Sequence, residues 1–339
     1  MERAVIHSDL KKEQIQPNEL LEKYFTLLTE DNRKIFSTRS LKETCCPVTG
    51  EHEVKKSFKN MGMKYQVSKT LGNIYLSPRP SMELLRKFYN ESSARKFWLT
   101  TLWPQTAEFR NEKIIKPQLE WVQGFMAQHS TRKKLNIGEF LPNNWSFCLA
   151  AKEVFSNANY NLIDTLFDPA DAEECITDLM VFEKSENDSM DTILLFEALD
   201  RSPDPVGLLE NVKKSLKPGG LCFVTCLLSS GFEVQILGEV SDIFIPPERM
   251  NLFSFEGMKA LIEKVGDLEV LEFSTPGVLD IPNVKKYLEH ETDANFFQYV
   301  FNIRQNYELI SSFQEFLQMN RLGTFGRLVL RKNNTIEEG

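Results

Sequence analysis

At 339 residues and 42% hydrophobic, the chain can bury at least one full core, and its length favours two domains or one decorated domain. The formal net charge of −8 argues against binding of a nucleic acid or an anionic membrane by a broad basic surface. It leaves open a small, local basic patch. No signal-like start and no run of ~20 apolar residues is evident, so we expect a cytoplasmic protein.

The N-terminal third predicts helices around a turn-rich unit. Residues 9–36 carry apolar side chains at helical spacing, and "CCPVTGEHE" and "LGNIYLSPRP" bracket hairpin strands between Cys45 and Pro80. Two further helices are predicted over Met82–Tyr89 and from Thr106 to about Ala127. We place the domain change near 116–130, with an N-terminal module over 1–117 and a second domain over 118–339.

The second domain alternates short apolar runs with helical segments, which is typical of an α/β fold with a parallel sheet. "KKLNIGEF", "YNLIDTLF", "DTILLFEAL" and "LCFVTCLL" predict its first strands. The helix "PVGLLENVKKSL", ended by "KPGG", precedes the last of these. The strands "LEVLEFST" and "GRLVLRK" follow, separated by a mostly helical insertion over 283–320.

The run "DTILLFEALDRSPDPVGLLENVKKSLKPGGLCFVT", followed by "IFIPPERMNLFSFEGMKALIEKVG", resembles class I S-adenosylmethionine-dependent methyltransferases. With "CPVTG" and "YQVSKTLGNIYLSPRPSMELLRKFYNESSARKFW", it is similar to a bacterial group associated with surface-glycan or sugar-nucleotide pathways. The resemblance implies a Rossmann-like sheet with helices on both faces, S-adenosylmethionine as cofactor and a small-molecule acceptor. The oligomeric state stays open.

In that group two Cys-x-x-Cys pairs of the front module form a zinc ribbon. The corresponding positions here are Cys46, Thr49, Ser68 and Leu71. A structural zinc site needs four Cys or His ligands, so we expect a degenerate ribbon without metal.

The cofactor loop departs from the family as well. The resemblance places Asn136 and Gly138 at the cofactor, but Phe140 and Pro142 replace the glycines that let the backbone approach the ligand. Glu139 could add a charge nearby. After the second strand, Asp164 and Asp168 compete as the ribose-binding carboxylate, and Asp168 could instead cap a helix that begins at Pro169.

The end of the "TILLFEALD" strand carries Phe196, a candidate cofactor contact, and the carboxylates Glu197 and Asp200. These carboxylates could orient or deprotonate an acceptor, or Glu197 could simply pair with Arg201. "PPERMN" resembles a family step over the active site in which Arg249 replaces a histidine and Asn251 is kept. Arg249 could bind a phosphate or a carboxylate, or form a surface salt bridge.

Two functions of different class follow. The first is a methyltransferase that acts on a small molecule, with a sugar or a surface-glycan precursor as one candidate. The second is a catalytically inactive protein of methyltransferase fold that acts as a binding or scaffold partner, because the ribbon cysteines, the loop glycines and a histidine are all changed.

Overall fold

The computed structural model describes residues 5–6, 10–36, 40–129, 135–142, 144–167, 180–289 and 295–334. Its N-terminal part is helical around a small sheet, as the apolar spacing predicts. The helices are α1 (Lys12–Ile15), α2 (Asn18–Ile35), α3 (Met82–Glu91), α4 (Ser93–Phe97), α5 (Trp103–Arg110) and α6 (Lys116–His129). Two π-helical turns, Trp98–Leu102 and Asn111–Ile115, join the last three into one helical run.

The small sheet links the two halves of the chain. Its strands β1 (Val54–Asn60), β2 (Met63–Ser68) and β3 (Ile74–Leu76) form the predicted hairpins, and all its pairings are antiparallel. A fourth strand, Asn251–Leu252, comes from the second domain and pairs with β3. The predicted boundary at 117/118 falls within the helical run that ends at His129 and stays a prediction.

The large sheet has seven strands and confirms the predicted Rossmann-like fold. In chain order its strands are β4 (Asn136–Phe140), β5 (Asn159–Ile163), β6 (Met180–Phe182), β7 (Met190–Phe196), β8 (Leu216–Leu227), β10 (Leu268–Ser274) and β11 (Phe325–Lys332), the two-residue strand of the small sheet being β9. The spatial order is β10-β11-β8-β7-β4-β5-β6. The five strands from β8 to β6 are parallel, and β11 runs antiparallel to both neighbours.

Helices cover both faces of this sheet. On one face Ile137, Leu194 and Phe223 pack with α6 and with α7 (Trp145–Val154). On the other face the apolar core includes α9 (Pro205–Ser215) and α11 (Phe255–Val265) and continues into the small sheet and α2. Two short helices, α8 (Ala198–Arg201) and α10 (Phe232–Leu237), follow β7 and β8.

The predicted helical insertion packs around its own apolar cluster. It comprises α12 (Asp280–Leu288), α13 (Phe296–Gln298), a π-helical turn (Tyr299–Arg304) and α14 (Tyr307–Met319). Phe297, Phe301 and Phe313 surround Phe232 of α10 at ring-centroid distances of 5.2–6.3 Å. These three rings form the packed face of the insertion, whereas Phe296, Tyr299 and Phe316 are largely exposed. Among the described residues, no helix is long and apolar enough to cross a membrane.

Candidate functional site

Three neighbouring parallel strands end in the same way. Leu141 after β4, Asp164 after β5 and Glu197 after β7 have positive φ angles of 48°, 55° and 50°. Each donates its backbone N–H to the next strand, to the carbonyl oxygens of Ile163, Phe182 and Thr225 at 2.8–3.0 Å. A left-handed conformation costs free energy for residues other than glycine, and such strain concentrates at functional sites. This carboxyl edge, where strand order reverses between β7 and β4, is where open α/β sheets bind ligands.

The two candidate cofactor residues within β4 lie away from this edge, which corrects the sequence-based expectation. Asn136 is the first residue of β4, and its side chain bonds with Ser189 and Asn159 at the amino end of the sheet. Gly138 lies in the middle of the strand, where an added Cβ would lie 2.9 Å from the Ile163 side chain. Since a strand rises about 3.3 Å per residue, the turn that faces a ligand begins beyond both residues.

A buried arginine holds the turn that replaces the glycine loop. Arg201 is 4% exposed, and its Nη1 donates to the carbonyl oxygens of Leu141 at 3.3 Å and Phe196 at 3.0 Å. Phe140 and Leu141 are buried in the core, so their side chains do not enter the edge. The left-handed turn thus persists without glycine, with Arg201 joining the ends of β4 and β7.

Glu139 adds no charge to the ligand edge. Its side chain is buried on the α7 face, and it accepts a hydrogen bond of 2.5 Å from the hydroxyl of Tyr160. Burial raises the pKa of this carboxyl to about 7, although the bond from Tyr160 lowers it.

Asp164 is the carboxylate that the structure places at the edge after β5. Its side chain is 30% exposed, and one oxygen, Oδ1, pairs with Nη2 of Arg86 from α3. Burial raises the pKa of Asp164, while Arg86 lowers it. Asp168, the competing candidate, lies outside the described residues. No sequence pattern indicated Arg86, which lies in α3, 78 residues before Asp164.

Phe196 ends β7 at this edge, between two aromatic side chains. Its ring lies 5.1 Å from that of Phe147 and 6.5 Å from that of Trp121, measured between centroids. These rings come from α7 and α6, so the apolar part of the edge lies on the face that those helices cover.

Glu197 and Arg249 meet beside Phe196. Nη2 of Arg249 lies 3.3 Å from Oε2 of Glu197, and Nη2 of Arg201 approaches the same oxygen at 4.0 Å. The Glu197 side chain is 36% exposed. The hydroxyl of Tyr65, from β2, donates to the backbone carbonyl of Arg249 at 2.6 Å and fixes that segment over the edge.

Asp200 and Asn251 are buried and bond to backbone, which corrects the expectation that they face a ligand. Oδ2 of Asp200 accepts from the Leu227 N–H at 2.9 Å, and burial raises the pKa of this carboxyl well above its usual range. Asn251 donates its amide to the carbonyl oxygens of Leu199 and Ser202. Both residues position α8, the helix that carries Arg201.

The ribbon positions do not fit zinc. Cys46 accepts a weak hydrogen bond from Nδ2 of Asn73 at 3.6 Å, and Ser68 accepts from the Asn73 backbone N–H at 3.3 Å. Oδ1 of Asn73 accepts from the Ser254 N–H at the start of α11. In the part of the chain that the structure describes, no three His, Cys, Asp or Glu side chains form a metal-binding group. Hydrogen bonds to Asn73 thus connect these positions to the large domain.

Comparison with known proteins agrees with this architecture. Residues 135–272 match the family model described as a methyltransferase domain. No curated protein matches the chain.

Solved structures of similar fold include three methyltransferases. An S-adenosylmethionine-dependent methyltransferase from Mesorhizobium loti is 13% identical with a TM-score of 0.39, and covers 64% of this chain and 100% of its own. One from Thermotoga maritima is 12% identical, with a TM-score of 0.41 and coverages of 75% and 100%. Phosphoethanolamine N-methyltransferase 2 of Haemonchus contortus is 17% identical, with a TM-score of 0.42 and coverages of 77% and 63%.

Proposed function

We propose that this chain, whose residues 135–272 match the family model of a methyltransferase domain, is an S-adenosylmethionine-dependent methyltransferase of class I that methylates a small, sugar-type acceptor. One observation carries the proposal: the left-handed residues Leu141, Asp164 and Glu197 gather at the carboxyl edge of three adjacent strands. Two of them are carboxylates whose side chains are about one third exposed, at 30% and 36%. Strain of this kind persists when the surrounding structure enforces it, and here backbone bonds to the neighbouring strands do so.

The residues at this edge fit an adenosyl cofactor. S-adenosylmethionine, the cofactor of this domain family, supplies a methyl group on a sulfonium when bound. Asp164 pairs with Arg86 through Oδ1, which leaves Oδ2 to accept a ribose hydroxyl. Phe196 contributes an apolar surface at the end of β7, which β4 separates from β5, the strand that precedes Asp164. We therefore assign the ribose to Asp164 and the end of the cofactor pocket to Phe196.

Glu197 is the group that can take a proton from the acceptor. A hydroxyl or an amine that gains a methyl group must lose a proton, and a half-exposed carboxylate at the edge can accept it. Arg249 holds this carboxylate in place and replaces the histidine expected by resemblance. The sugar-type acceptor is supported by the resemblance to the surface-glycan group and by the acidic net charge, which suits a small substrate better than a nucleic acid.

Calorimetric titration with S-adenosylhomocysteine tests this assignment. We expect Asp164→Ala to weaken binding by about 1–3 kcal/mol, the range for a lost hydrogen bond to a charged group. Asp188→Ala is a matched control, because Asp188 also has a left-handed backbone, φ 50°, but lies in the turn before β7. Asp168→Ala should leave affinity unchanged. If Asp168→Ala weakens binding and Asp164→Ala does not, the ribose assignment is wrong.

The contact between Arg86 and Asp164 favours a second candidate, a methyltransferase-fold protein that acts as a binding partner without turnover. In this case the ion pair holds the ribose carboxylate closed, and the wild-type protein fails to bind S-adenosylhomocysteine. Arg86→Gln separates the two. If Arg86 only orients Asp164, the substitution weakens cofactor binding, whereas if Arg86 closes the site, the substitution creates binding that the wild type lacks.

A further inference from the structure

Around Glu197 the structure places more arginine side chains than carboxylates. Arg201 and Arg249 share the single carboxylate of Glu197. Arg110 of α5 lies within electrostatic reach of Glu197 and Arg249. This concentration of guanidinium groups stands out in a chain whose net charge is −8.

The remaining charged neighbours do not cancel this excess. Glu248 pairs with Arg95 at 3.9 Å and accepts from the hydroxyl of Tyr24, and it also raises the pKa of the Arg249 guanidinium. Asp200 is fully buried, and burial raises the pKa of its carboxyl well above the usual range, which favours the neutral form. Four arginines, Arg95, Arg110, Arg201 and Arg249, therefore share three carboxylates, Glu197, Glu248 and Asp200.

Donor groups of the same cluster are also unused. Among the described residues, Nη1 of Arg249 is buried without a hydrogen-bond partner, and so is Nε of Arg201. Arg110 is more fully engaged, because its guanidinium stacks over Trp98 at 4.9 Å and its Nε donates to the hydroxyl of Thr106. A buried N–H without a partner is costly, and an anion bound at Nη1 of Arg249 would offset that cost.

We propose that Arg249 binds an anionic group of the acceptor, a phosphate or a carboxylate, beside the proton-accepting carboxylate of Glu197. The inference rests on the proposed function and narrows its substrate class to acidic or phosphorylated small molecules. Arg249 is then a specificity-determining residue, and Arg110 and Arg201 supply the surrounding positive charge. A planar guanidinium suits both groups, because it can present two parallel donors.

Inorganic phosphate is the probe for this site. We titrate phosphate, at constant ionic strength, into protein saturated with S-adenosylhomocysteine and follow the rise in thermal unfolding temperature. We expect saturable stabilisation of the wild type and an affinity about tenfold to a hundredfold lower in Arg249→Gln, as for a lost hydrogen bond to a charged group. Arg331→Gln, which removes an equal charge from a surface pair with Glu269, should behave as the wild type.

Glu197→Gln should change phosphate affinity in the opposite direction to Arg249→Gln, and it tests the site with Arg249 still present. Without the competing carboxylate, phosphate should bind more tightly than to the wild type. Circular dichroism confirms that each variant is folded. Equal phosphate affinity in the wild type, Arg249→Gln and Glu197→Gln would overturn the proposal.

The carboxylate of the cofactor is the other anion that Arg249 could hold. A comparison of S-adenosylhomocysteine with 5′-methylthioadenosine, which lacks the amino-acid group, distinguishes the two. If Arg249→Gln weakens S-adenosylhomocysteine binding alone, the anion site belongs to the cofactor and the acceptor proposal fails. If the wild type binds neither nucleoside, the proposed function itself fails, whatever phosphate does.

Discussion

Replacing Glu139 by glutamine should change how the free energy of unfolding depends on pH. Glu139 is buried beside Tyr160 in the first strand of the large sheet, and burial raises its pKa from 4.5 to about 7. In the unfolded chain the carboxyl ionises near its ordinary pKa. Between these two values the folded state holds a proton that the unfolded state has released, so stability falls as pH rises through this window.

The magnitude follows from the size of the shift. A change from 4.5 to about 7 corresponds to about 3 kcal/mol of stability lost between pH 4 and pH 8, at 1.36 kcal/mol for each pKa unit. Glutamine keeps the size of the side chain and can still accept from Tyr160, but it cannot ionise. Buried carboxyls such as Asp200, Glu233 and Asp280 shift in the same direction in both proteins and cancel in the comparison.

Urea denaturation at pH 4 and at pH 8 measures this difference. We expect the wild type and Glu139→Gln to have similar stability at pH 4, and Glu139→Gln to be more stable by about 3 kcal/mol at pH 8. Parallel pH profiles for the two proteins would show that Glu139 is not buried in its neutral form and would refute the reasoning.

Three further predictions concern residues near the site. Phe140→Ala should lower the free energy of unfolding by about 3–5 kcal/mol in urea denaturation, because this side chain is only 4% exposed. Phe296→Ala, at a position that is 70% exposed, should change it little, and equal effects of the two substitutions would contradict this. Asp200→Ala should lower the free energy of unfolding by about 1–3 kcal/mol, because it leaves the Leu227 N–H unpaired. It should not change the dissociation constant for S-adenosylhomocysteine, and weaker binding would show that Asp200 contributes to the ligand site. Elemental analysis should find far less than one zinc per chain, since only Cys46 supplies a thiolate at the ribbon positions, and stoichiometric zinc would refute this.

The spacing of apolar residues, together with the residues that end helices and strands, predicted most of the large sheet. The strands around Ile137, Leu194 and Val224 are apolar runs bounded by helices, and each forms where the pattern places it. The exception is β6, an edge strand of three residues, Met180–Phe182, that are all exposed. Three residues are too few to show a periodic pattern, and their exposure at the sheet edge means that no burial pattern marks them either.

The site was only partly predictable because its decisive contacts join distant segments. The strand pattern led to Asp164 and Glu197, which follow strands, and to Arg249 through resemblance. It could not show that Arg86 reaches Asp164 from 78 residues away, or that Arg201 bonds to the carbonyl of Leu141. Such pairings depend on how helices pack on the sheet, and a single sequence carries no signal for them.

The expected effect of Phe140 and Pro142 on the cofactor loop also changes with the structure. The sequence suggested that these side chains occupy space that the ligand needs. In the structure Phe140 packs into the core, and Leu141 takes up the left-handed turn that glycine usually provides. Replacing Phe140 by glycine would therefore remove core packing, and it would not open the edge.

The most direct test of a cofactor site at the edge formed by Leu141, Asp164 and Glu197 is a calorimetric titration of S-adenosylhomocysteine into the wild type and Asp164→Ala. We predict one binding site per chain in the wild type and an affinity lower by about 1–3 kcal/mol in the variant, with Asp188→Ala unchanged. A wild-type protein that binds no S-adenosylhomocysteine, or an Asp164→Ala protein that binds it as tightly as the wild type, would contradict the account.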